Sequence, residues 1–396
     1  MIALIPTGLV GQSLGLAGEA SLSGTASNAS EGTQHLLVRY LPELEGALPL
    51  WGSLTLDFNA SANLWASKAW GDGQGGDGTG EAELYRGWVR LSSPSAEVRA
   101  GLQKISYGSA SIFRPLMWFD HVDPRDPLQL SEGVEAILGR AYLPENITLW
   151  GWAVRGQDEP KGWEMIPTND GSVELGGRLQ VPLGPGELAT TFHHREMDLA
   201  ALAVPGAETT GSENRFALDG KWDLGIGAWF EAVAIRQESP LLSGEWVRSV
   251  ALGADYTFEI GNGLSVLAEH FWKENPALDT DGSDGVPEQP PTTDPGAPIP
   301  PELPTEDLNL TAFTVSYPYG VLDRIGLAIY RDWQNGEVFR MLEWRRTYDR
   351  WRFHVLGFWN PDDLILFPSG PGGPTGSGGT VPLSGAGVQL IVIFNH

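Results

Sequence analysis

Apolar and polar residues alternate along most of this chain from about residue 16 onward. The stretch 54–64 is the clearest case, because every second position is apolar and the positions between them are polar. The stretches 173–181 and 215–224 have the same pattern. Side chains alternate across a β-strand, so each of these stretches would have one apolar and one polar face. The pattern therefore predicts an all-β protein.

The predicted strands number about eighteen, with sixteen as the alternative count. Several of them, such as 146–155 and 225–236, alternate poorly. The predicted strands are 16–26, 35–44, 53–66, 82–93, 96–106, 134–142, 146–155, 172–181, 186–197, 213–223, 225–236, 246–258, 263–273, 308–317, 322–333, 336–346, 350–360 and 383–394.

The connections between these strands fall into two classes. Joins after even-numbered strands are short, as at 92–95 and 183–185. Joins after odd-numbered strands are mostly long, as at 106–133 and 274–307, although Gln334-Asn335-Gly336 reads as a tight hairpin. Short turns at one end and long loops at the other are typical of an outer-membrane barrel. We therefore predict a single antiparallel up-and-down barrel with short periplasmic turns and long extracellular loops.

The aromatic residues favour this interpretation. Trp and Tyr lie mainly near the ends of predicted strands, and membrane interfaces attract rings that are apolar at one end and polar at the other. In the last strand, Val388, Leu390, Val392 and Phe394 would face lipid. The alternative is aromatic packing in a soluble β-sandwich or propeller.

Composition excludes several other classes of protein. The 396 residues contain 51 Gly and 16 Trp, and no run of apolar residues is long enough for a transmembrane helix. The net charge of −25 argues against a nucleic-acid partner, which needs clustered cations. The absence of cysteine excludes disulfides and thiolate metal sites. Residues 1–15 read as a signal remnant or as an ordered N-terminal segment.

Other chemical motifs are weak, and we predict neither an enzyme nor a cofactor. No Walker loop is present, and no spacing marks two carboxylates as a glycosidase pair. The acidic stretch 279–285 partly matches a Ca²⁺ loop but lacks its closing Glu, so a solvated acidic loop is the stronger interpretation. His193 and His194 are adjacent and should point to opposite faces, which argues against a shared metal.

The stretch 97–133 concentrates the candidate chemistry. It begins as a strand whose residues Glu97, Arg99, Gly101 and Gln103 share one face, and Gly101 should leave room for a loop to fold inward. The loop that follows mixes large apolar residues with charges, which predicts that it enters the pore and narrows it. The predicted constriction residues are Arg99, Gln103, Arg114, Asp120, Asp123, Arg125 and Asp126. The alternative is that the loop charges only hold its shape.

The inward faces of the strands carry charges of both signs. Such positions alternate with apolar ones in any barrel of this type. The predicted lumen-wall residues are Arg86, Arg90, Glu97, Arg178, Asp219, Lys221 and Arg352.

One segment carries a family resemblance. Residues 98–108 read VRAGLQKISYG, and the sequences Phe-Arg-Pro-Leu and Asp-Pro-Arg-Asp-Pro follow at 113–116 and 123–127. This segment resembles the alginate-export family of eighteen-stranded outer-membrane barrels and related porin-like proteins. The resemblance implies a passive channel for oligosaccharides, polysaccharide or small polar solutes. Members that pass anionic sugars have arginine-rich lumens, whereas the wall here is mixed in sign.

These observations together predict a porin-like channel in the outer membrane of a Gram-negative-type bacterium. The alternative is a non-conducting barrel that is plugged or that holds a partner protein. The predicted partners are outer-membrane lipid, lipopolysaccharide and diffusing solutes, with a homo-oligomer or a periplasmic partner as further options. A loop at 274–307 is predicted to be disordered, acidic and Pro-rich, with Ca²⁺ as a weak candidate ligand there.

Overall fold

Eighteen antiparallel strands form a closed barrel in the computed structural model. The structure describes residues 13–29, 32–71, 74–76, 78–120, 128, 130–131, 133–157, 159–202, 209–239, 242–243, 246–275, 277–278, 307–361 and 383–396. The wall strands are β1 Ser13–Ser27, β2 Thr33–Pro49, β3 Thr55–Gly71, β4 Thr79–Ser92, β5 Ala96–Gln103, β6 Val134–Tyr142, β7 Thr148–Arg155, β8 Val173–Leu183, β9 Gly186–Asp198, β10 Thr210–Asp223, β11 Gly227–Glu238, β12 Trp246–Phe258, β13 Leu264–Lys273, β14 Leu308–Tyr319, β15 Asp323–Asp332, β16 Val338–Thr347, β17 Trp351–Trp359 and β18 Ala386–Asn395.

The barrel closes where the first strand pairs with the last. The ladder between β1 and β18 runs from Glu19 opposite Asn395 to Ser27 opposite Gly387. Closure leaves no sheet edge, so the backbone groups of the wall are bonded within the sheet. The predicted count of eighteen strands is confirmed, and the alternative of sixteen is wrong.

The connections alternate in length as the sequence predicts. The turns after even-numbered strands are short, and the two longest described insertions inside the barrel follow β5 and β7. Short elements occupy some connections: two-residue strands at Gln74–Gly75, Leu242–Ser243 and Ala277–Leu278, and 3-10 turns at Pro144–Asn146 and Leu199–Leu202. No helix of the described residues is long and apolar enough to cross a membrane.

Two predicted segments lie partly outside the described residues. Strand β1 begins at Ser13, so the predicted boundary after residue 15 falls inside it, and residues 1–12 lie outside the described part of the chain. The predicted disordered loop 274–307 is described only at 274–275, 277–278 and 307.

The outer face of the barrel is a continuous apolar surface. On β3 the side chains of Phe58 and Leu64 point outward, whereas Asn59 and Asn63 point inward and are buried. The same register leaves Leu252 and Leu390 more than half exposed on the outside. An exposed apolar band around a closed barrel suits the hydrocarbon of a bilayer and would be costly in water.

The inner face is less polar than the sequence analysis predicts. Between β6 and β17 it packs against chain folded into the barrel, in two clusters of buried apolar side chains, whereas the inward positions of β8 and β9 are mostly polar. The wall members of these clusters are Val134, Ala136, Leu138, Trp152, Val154, Ala217, Trp229, Val233, Ala251, Phe271, Leu310, Ala312, Tyr330, Phe339, Met341, Leu356 and Phe358. Strands covered on both faces have no need to alternate, which explains why 146–155 and 225–236 alternate poorly.

The orientation of the outer face leads to a stability prediction. Leu390 lies at the centre of β18 and is 54% exposed, so Leu390→Arg should destabilise the barrel in lipid vesicles by about 2–4 kcal/mol. Val321, in a short turn, is 99% exposed, and Val321→Arg should cost close to nothing. Urea titration followed by tryptophan fluorescence measures both. Equal costs at the two positions would mean that Leu390 does not face hydrocarbon.

Candidate functional site

The loop between β5 and β6, described at residues 104–120, 128, 130–131 and 133, crosses the inside of the barrel. We call it the crossing loop. It leaves the wall after Gln103, and the backbone N–H groups of Ser111, Ile112 and Phe113 donate to Glu269 on β13, at 2.8, 3.0 and 2.7 Å. β13 lies eight strands from β5 in a wall of eighteen, so the loop reaches almost the opposite side. The described part of the loop therefore spans the lumen.

Two wall carboxylates hold the loop in place. Besides its three loop donors, Glu269 accepts the indole N–H of Trp229 at 2.7 Å. Glu231 on β11 accepts the backbone N–H groups of Ala110 and Leu116, at 2.8 and 2.9 Å. Both carboxylates are buried, and hydrogen bonds to a charged group contribute about 1.5–3 kcal/mol each.

A glycine makes the close approach to Glu231 feasible. Gly108 has a φ of +106°, and a Cβ at this position would collide with the Glu231 carboxylate. Gly101 has a different role from the predicted one of making room for the loop. Its φ is +119°, and a Cβ there would meet the backbone of Gly87 and Trp88 in the neighbouring strand. The correction follows from the close approach of two strands, which the sequence does not reveal.

Aromatic packing fixes both ends of the crossing. At the far end, the ring of Phe113 stacks on Phe271 with centroids 5.5 Å apart and meets Tyr330 edge-on. At the near end, Tyr107 stacks on Trp152 at 5.3 Å, and Phe119 meets the same indole edge-on. Burial raises the pKa of the Tyr107 phenol well above its ordinary value, so this side chain is a neutral packing element.

A second loop, 156–172 between β7 and β8, also folds inward. Lys161 donates to Glu174 on β8 at 2.7 Å, and the Glu164 carboxylate accepts from Arg215 on β10 at 2.7 Å. The indole N–H of Trp163 donates to the carbonyl of Arg114 in the crossing loop at 3.1 Å. The second loop therefore braces the crossing loop as well as the wall.

The start of the crossing loop uses two of the predicted constriction residues. The Arg99 guanidinium donates to the Gln103 side chain at 2.5 Å and to the carbonyl of Lys104 at 3.1 Å. Gln103 is fully buried and donates to the carbonyl of Ala136 at 2.8 Å. These contacts tie the loop to β5 and β6.

The described loop charges interact with the base of their own loop. Arg114, at a φ of +45°, donates to the hydroxyl of Ser106 at 2.6 Å. Asp120 is 1% exposed, with Lys104 at 3.5 Å and Arg114 at 3.7 Å. Arg114 and Asp120 thus interact with each other and with the start of their own loop. Three further predicted constriction residues lie outside the described residues: Asp123, Arg125 and Asp126.

The predicted wall residues separate into buried and accessible sets. Arg178 pairs with Asp219 beneath the crossing loop, where Ser109 also donates to Asp219 at 2.9 Å. Both side chains lie on the inner face of the wall, but the pair is buried and supports the loop, so it is not exposed to an open lumen at this height. The reason is that the crossing loop covers β8 and β10 at this height.

The accessible set lies toward the short turns. Arg90 pairs with Asp57 at 3.0 Å and with Glu97 at 3.4 Å, and Arg140 pairs with Glu97 at 3.1 Å. The Arg90 side chain remains 35% exposed. The remaining three predicted wall residues are placed separately: Arg86 donates to the carbonyl of Ser131 at 2.7 Å, Arg352 pairs with Glu19 at 2.5 Å, and Lys221 lies 5.2 Å from the Trp229 ring.

The anchors Glu231 and Glu269 were missed as site residues by the sequence analysis, as were Lys161 and Glu164. For Glu231 the available signal was the poor alternation of 225–236, which marks a strand covered on its inner face; no comparable signal marked Glu269, Lys161 or Glu164. Once that is recognised, carboxylates on covered strands become candidates for holding whatever covers them.

The remaining sequence motifs provide no cofactor site. His193 points inward to Glu174 at 3.0 Å, and His194 points outward toward Asn214, as adjacent strand residues should. No group of three or more metal-ligating side chains occurs in the described residues, and the acidic stretch 279–285 lies outside them. Ser13, within a G-x-S-x-G match at 11–15, begins a wall strand paired with Ala47, not the strand-to-helix turn of a nucleophile elbow.

Comparison with solved structures relates the fold to outer-membrane porins. OccK7 of Pseudomonas aeruginosa matches with a TM-score of 0.54 at 11% identity, covering 98% of this chain and 99% of that one. OccK5 of the same organism matches with a TM-score of 0.54 at 11% identity, covering 97% of each chain. OmpF of Salmonella typhi matches with a TM-score of 0.50 at 10% identity, again covering 97% of each.

The likeness to these structures is one of fold. No protein-family model matches the chain, and no curated protein matches its sequence. The chain therefore shares the closed antiparallel barrel of outer-membrane porins along nearly its whole length.

A substitution of Glu269 tests how the crossing loop is anchored. Glu269→Gln replaces one carboxylate oxygen by an NH2 group that cannot accept, so either Ser111 N–H and the Trp229 indole or the N–H groups of Ile112 and Phe113 lose their acceptor, and the remaining oxygen is neutral. Hydrogen exchange of a peptide spanning 109–117 should accelerate at least about tenfold, because charged-acceptor bonds are lost. Glu187→Gln is the matched control, since Glu187 is exposed and accepts only from Gln180 at 2.6 Å. Unchanged protection in Glu269→Gln would show that aromatic packing alone holds the loop.

Proposed function

We propose that this protein is a porin-like channel in the outer membrane of a Gram-negative-type bacterium. The observation that carries the proposal is a closed barrel with an apolar exterior whose lumen is crossed by an anchored loop. The fold shared with outer-membrane porins supports it. Such a channel conducts by diffusion and uses the barrel to shield polar solutes from hydrocarbon.

The selecting groups belong to two levels of the lumen in this proposal. The first is the crossing loop with its root at Arg99 and Gln103, and it includes the predicted residues Asp120, Asp123, Arg125 and Asp126. The second is the accessible ion network around Arg90 below the loop. Charges at a narrow point act on a solute at short range, which is why small changes there alter selectivity.

The proposed solutes are small and polar, of the size of ions or short oligosaccharides. The accessible network alternates in sign, with Asp57 and Glu97 beside Arg90 and Arg140. A wall of this kind provides no continuous cationic track for an anionic polymer. The finer relation to the alginate-export family is supported only by the segment 98–108 and the two short motifs at 113–116 and 123–127. An alginate-like substrate is not part of the proposal.

The second candidate function is a plugged or partner-filled barrel. The observation that favours it is the burial of inward side chains near the strand centres, where Ser21, Arg39 and Asn63 are 7%, 2% and 3% exposed. A lumen closed at this level would conduct no ions. The two candidates differ in one measurable property, the conductance of the inserted barrel.

The proposed surroundings follow from the membrane location. Outer-membrane lipid contacts the apolar exterior, and polar solutes enter the lumen. Lipopolysaccharide, a homo-oligomeric assembly and a periplasmic partner are further proposals that rest on the same location. Ca²⁺ at the acidic outer loops stays a prediction from the sequence.

Deletion of the crossing loop tests the channel directly. Removal of Ser111–Asp126 should raise single-channel conductance in planar bilayers severalfold, because the segment that spans the lumen is lost. Heat-modifiable mobility on gels confirms that the variant barrel is folded. A folded, inserted wild type that conducts under no ion gradient would overturn the channel proposal and favour the plugged barrel.

Removal of loop charge tests selectivity separately from pore size. A triple variant should shift the reversal potential in a KCl gradient toward anion preference, since carboxylates favour cations. It combines Asp120→Asn, Asp123→Asn and Asp126→Asn. Glu135→Gln is the matched control, because Glu135 is an exposed outward residue paired with Arg155. An unshifted reversal potential in the triple variant would assign selection to the wall charges.

A further inference from the structure

Four neighbouring strands have polar side chains on the outside of the barrel, near the ends that lead to the long loops. His270 on β13, Thr311 on β14 and Arg331 on β15 lie side by side in register. Arg340 on β16 lies diagonally next to Arg331, because its direct partner is Ile329. His270, Arg331 and Arg340 are exposed. We call these four residues the outer rim site.

The hydrogen bonds at this site are compatible with a free N–H donor on the His270 imidazole. Trp333 donates its indole N–H to the Thr311 hydroxyl oxygen at 2.8 Å, and the hydroxyl can donate its own proton to His270 Nδ1 at 2.9 Å. In that arrangement Nδ1 accepts, and the neutral ring has its proton on Nε2. The Trp333 ring also supports Arg331, whose guanidinium carbon lies 4.4 Å from the ring centroid.

The two arginines of this site differ from the other outward arginines at the same end of the barrel. Arg155 pairs with Glu135 at 3.1 Å, and Arg236 pairs with Glu238 at 3.3 Å. Arg248 likewise pairs with Glu274, at 3.4 Å.

Arg331 and Arg340 form no ion pair with a carboxylate of the described residues. Asp323 is the only carboxylate among the outward positions of β13–β17, and it lies at the short-turn end, where it pairs with Arg346. The site is therefore a local concentration of positive charge on a chain whose net charge is −25.

The surface beneath the site is apolar. Phe313, Leu327 and Leu342 continue the outward faces of β14, β15 and β16 toward the barrel centre and are 40%, 37% and 46% exposed. At the level of the arginines, Trp333 and Trp359 are 53% and 52% exposed, and Trp359 is the direct strand partner of Arg340. Exposed tryptophans mark the height at which lipid headgroups meet hydrocarbon.

We propose that the outer rim site binds the phosphate-bearing headgroup of a lipid in the outer leaflet. The two guanidiniums and the His270 Nε2–H would donate to phosphate oxygens, and the acyl chains would lie along the apolar strip below. This inference rests on the proposed membrane location but not on conduction through the lumen. A phosphorylated lipid fits better than a free anion, because the cations lie directly above an exposed apolar surface.

Native mass spectrometry of the folded barrel in detergent tests the site. The probe is a lipid A that carries its phosphates, and the test variant is Arg331→Gln with Arg340→Gln. The affinity of this double variant should fall about thirtyfold, the order expected from removing two surface cations at about 1 kcal/mol each. Arg155→Gln with Arg236→Gln is the matched control, since it removes two outward arginines that already have carboxylate partners, and its affinity should be unchanged.

Three results would overturn the inference. They are an equal loss of affinity in the control variant, undiminished binding of the same lipid after its phosphates are removed, and displacement of the lipid by millimolar inorganic phosphate. Conductance recorded on the same Arg331→Gln and Arg340→Gln protein should equal that of the wild type. A barrel that binds the lipid but never conducts would contradict the channel proposal and leave the lipid site standing.

Discussion

The arrangement of the lumen depends on hydrogen bonds from the crossing loop to two wall carboxylates. A loop inside a barrel is removed from the sheet, so its backbone N–H groups need acceptors that no ladder supplies. Glu231 and Glu269 accept five of them between residues 110 and 116. A carboxylate is suited to this task because it accepts several donors at once and bonds them more strongly than a neutral group does. The loop is therefore held by the wall and not only by its own turns.

These anchors also explain how charges and apolar residues are combined on the inner wall. Glu269 lies between the apolar side chains of Phe271 and Leu267 on the same face of β13. A lone carboxylate in such surroundings would be costly, and the loop donors with Trp229 offset that cost. The loop in turn brings Phe113 onto Phe271, so the hydrogen bonds and the aromatic packing require the same loop position. Each interaction would be weaker without the other.

The sequence predicts the barrel but not how chain folds inside it. Alternation with period two reflects a strand that has unlike surroundings on its two faces, and β3 shows this directly in Phe58 and Asn59. The same rule fails where chain folds inside, because Trp152 and Phe271 then meet a packed layer in place of water. Local sequence does not encode which strands a loop will cover. Arg178 and Asp219 were predicted from the sequence as charged residues of the inner wall. Their burial, however, depends on a loop segment some seventy or more residues away along the chain.

Burial divides the lumen charges into groups that hold shape and groups that can act on a solute. The pair formed by Arg178 and Asp219 is almost inaccessible, and loss of one partner would leave an uncompensated charge at a cost of about 3–5 kcal/mol. The pair formed by Arg90 and Asp57 is partly exposed, and exposed pairs contribute only about 0–1 kcal/mol. A solute can compete for Arg90 because little stability is lost when its partner exchanges. In the proposed channel the wall network around Arg90 can therefore act on a solute, and the buried pair of Arg178 and Asp219 maintains the surrounding geometry.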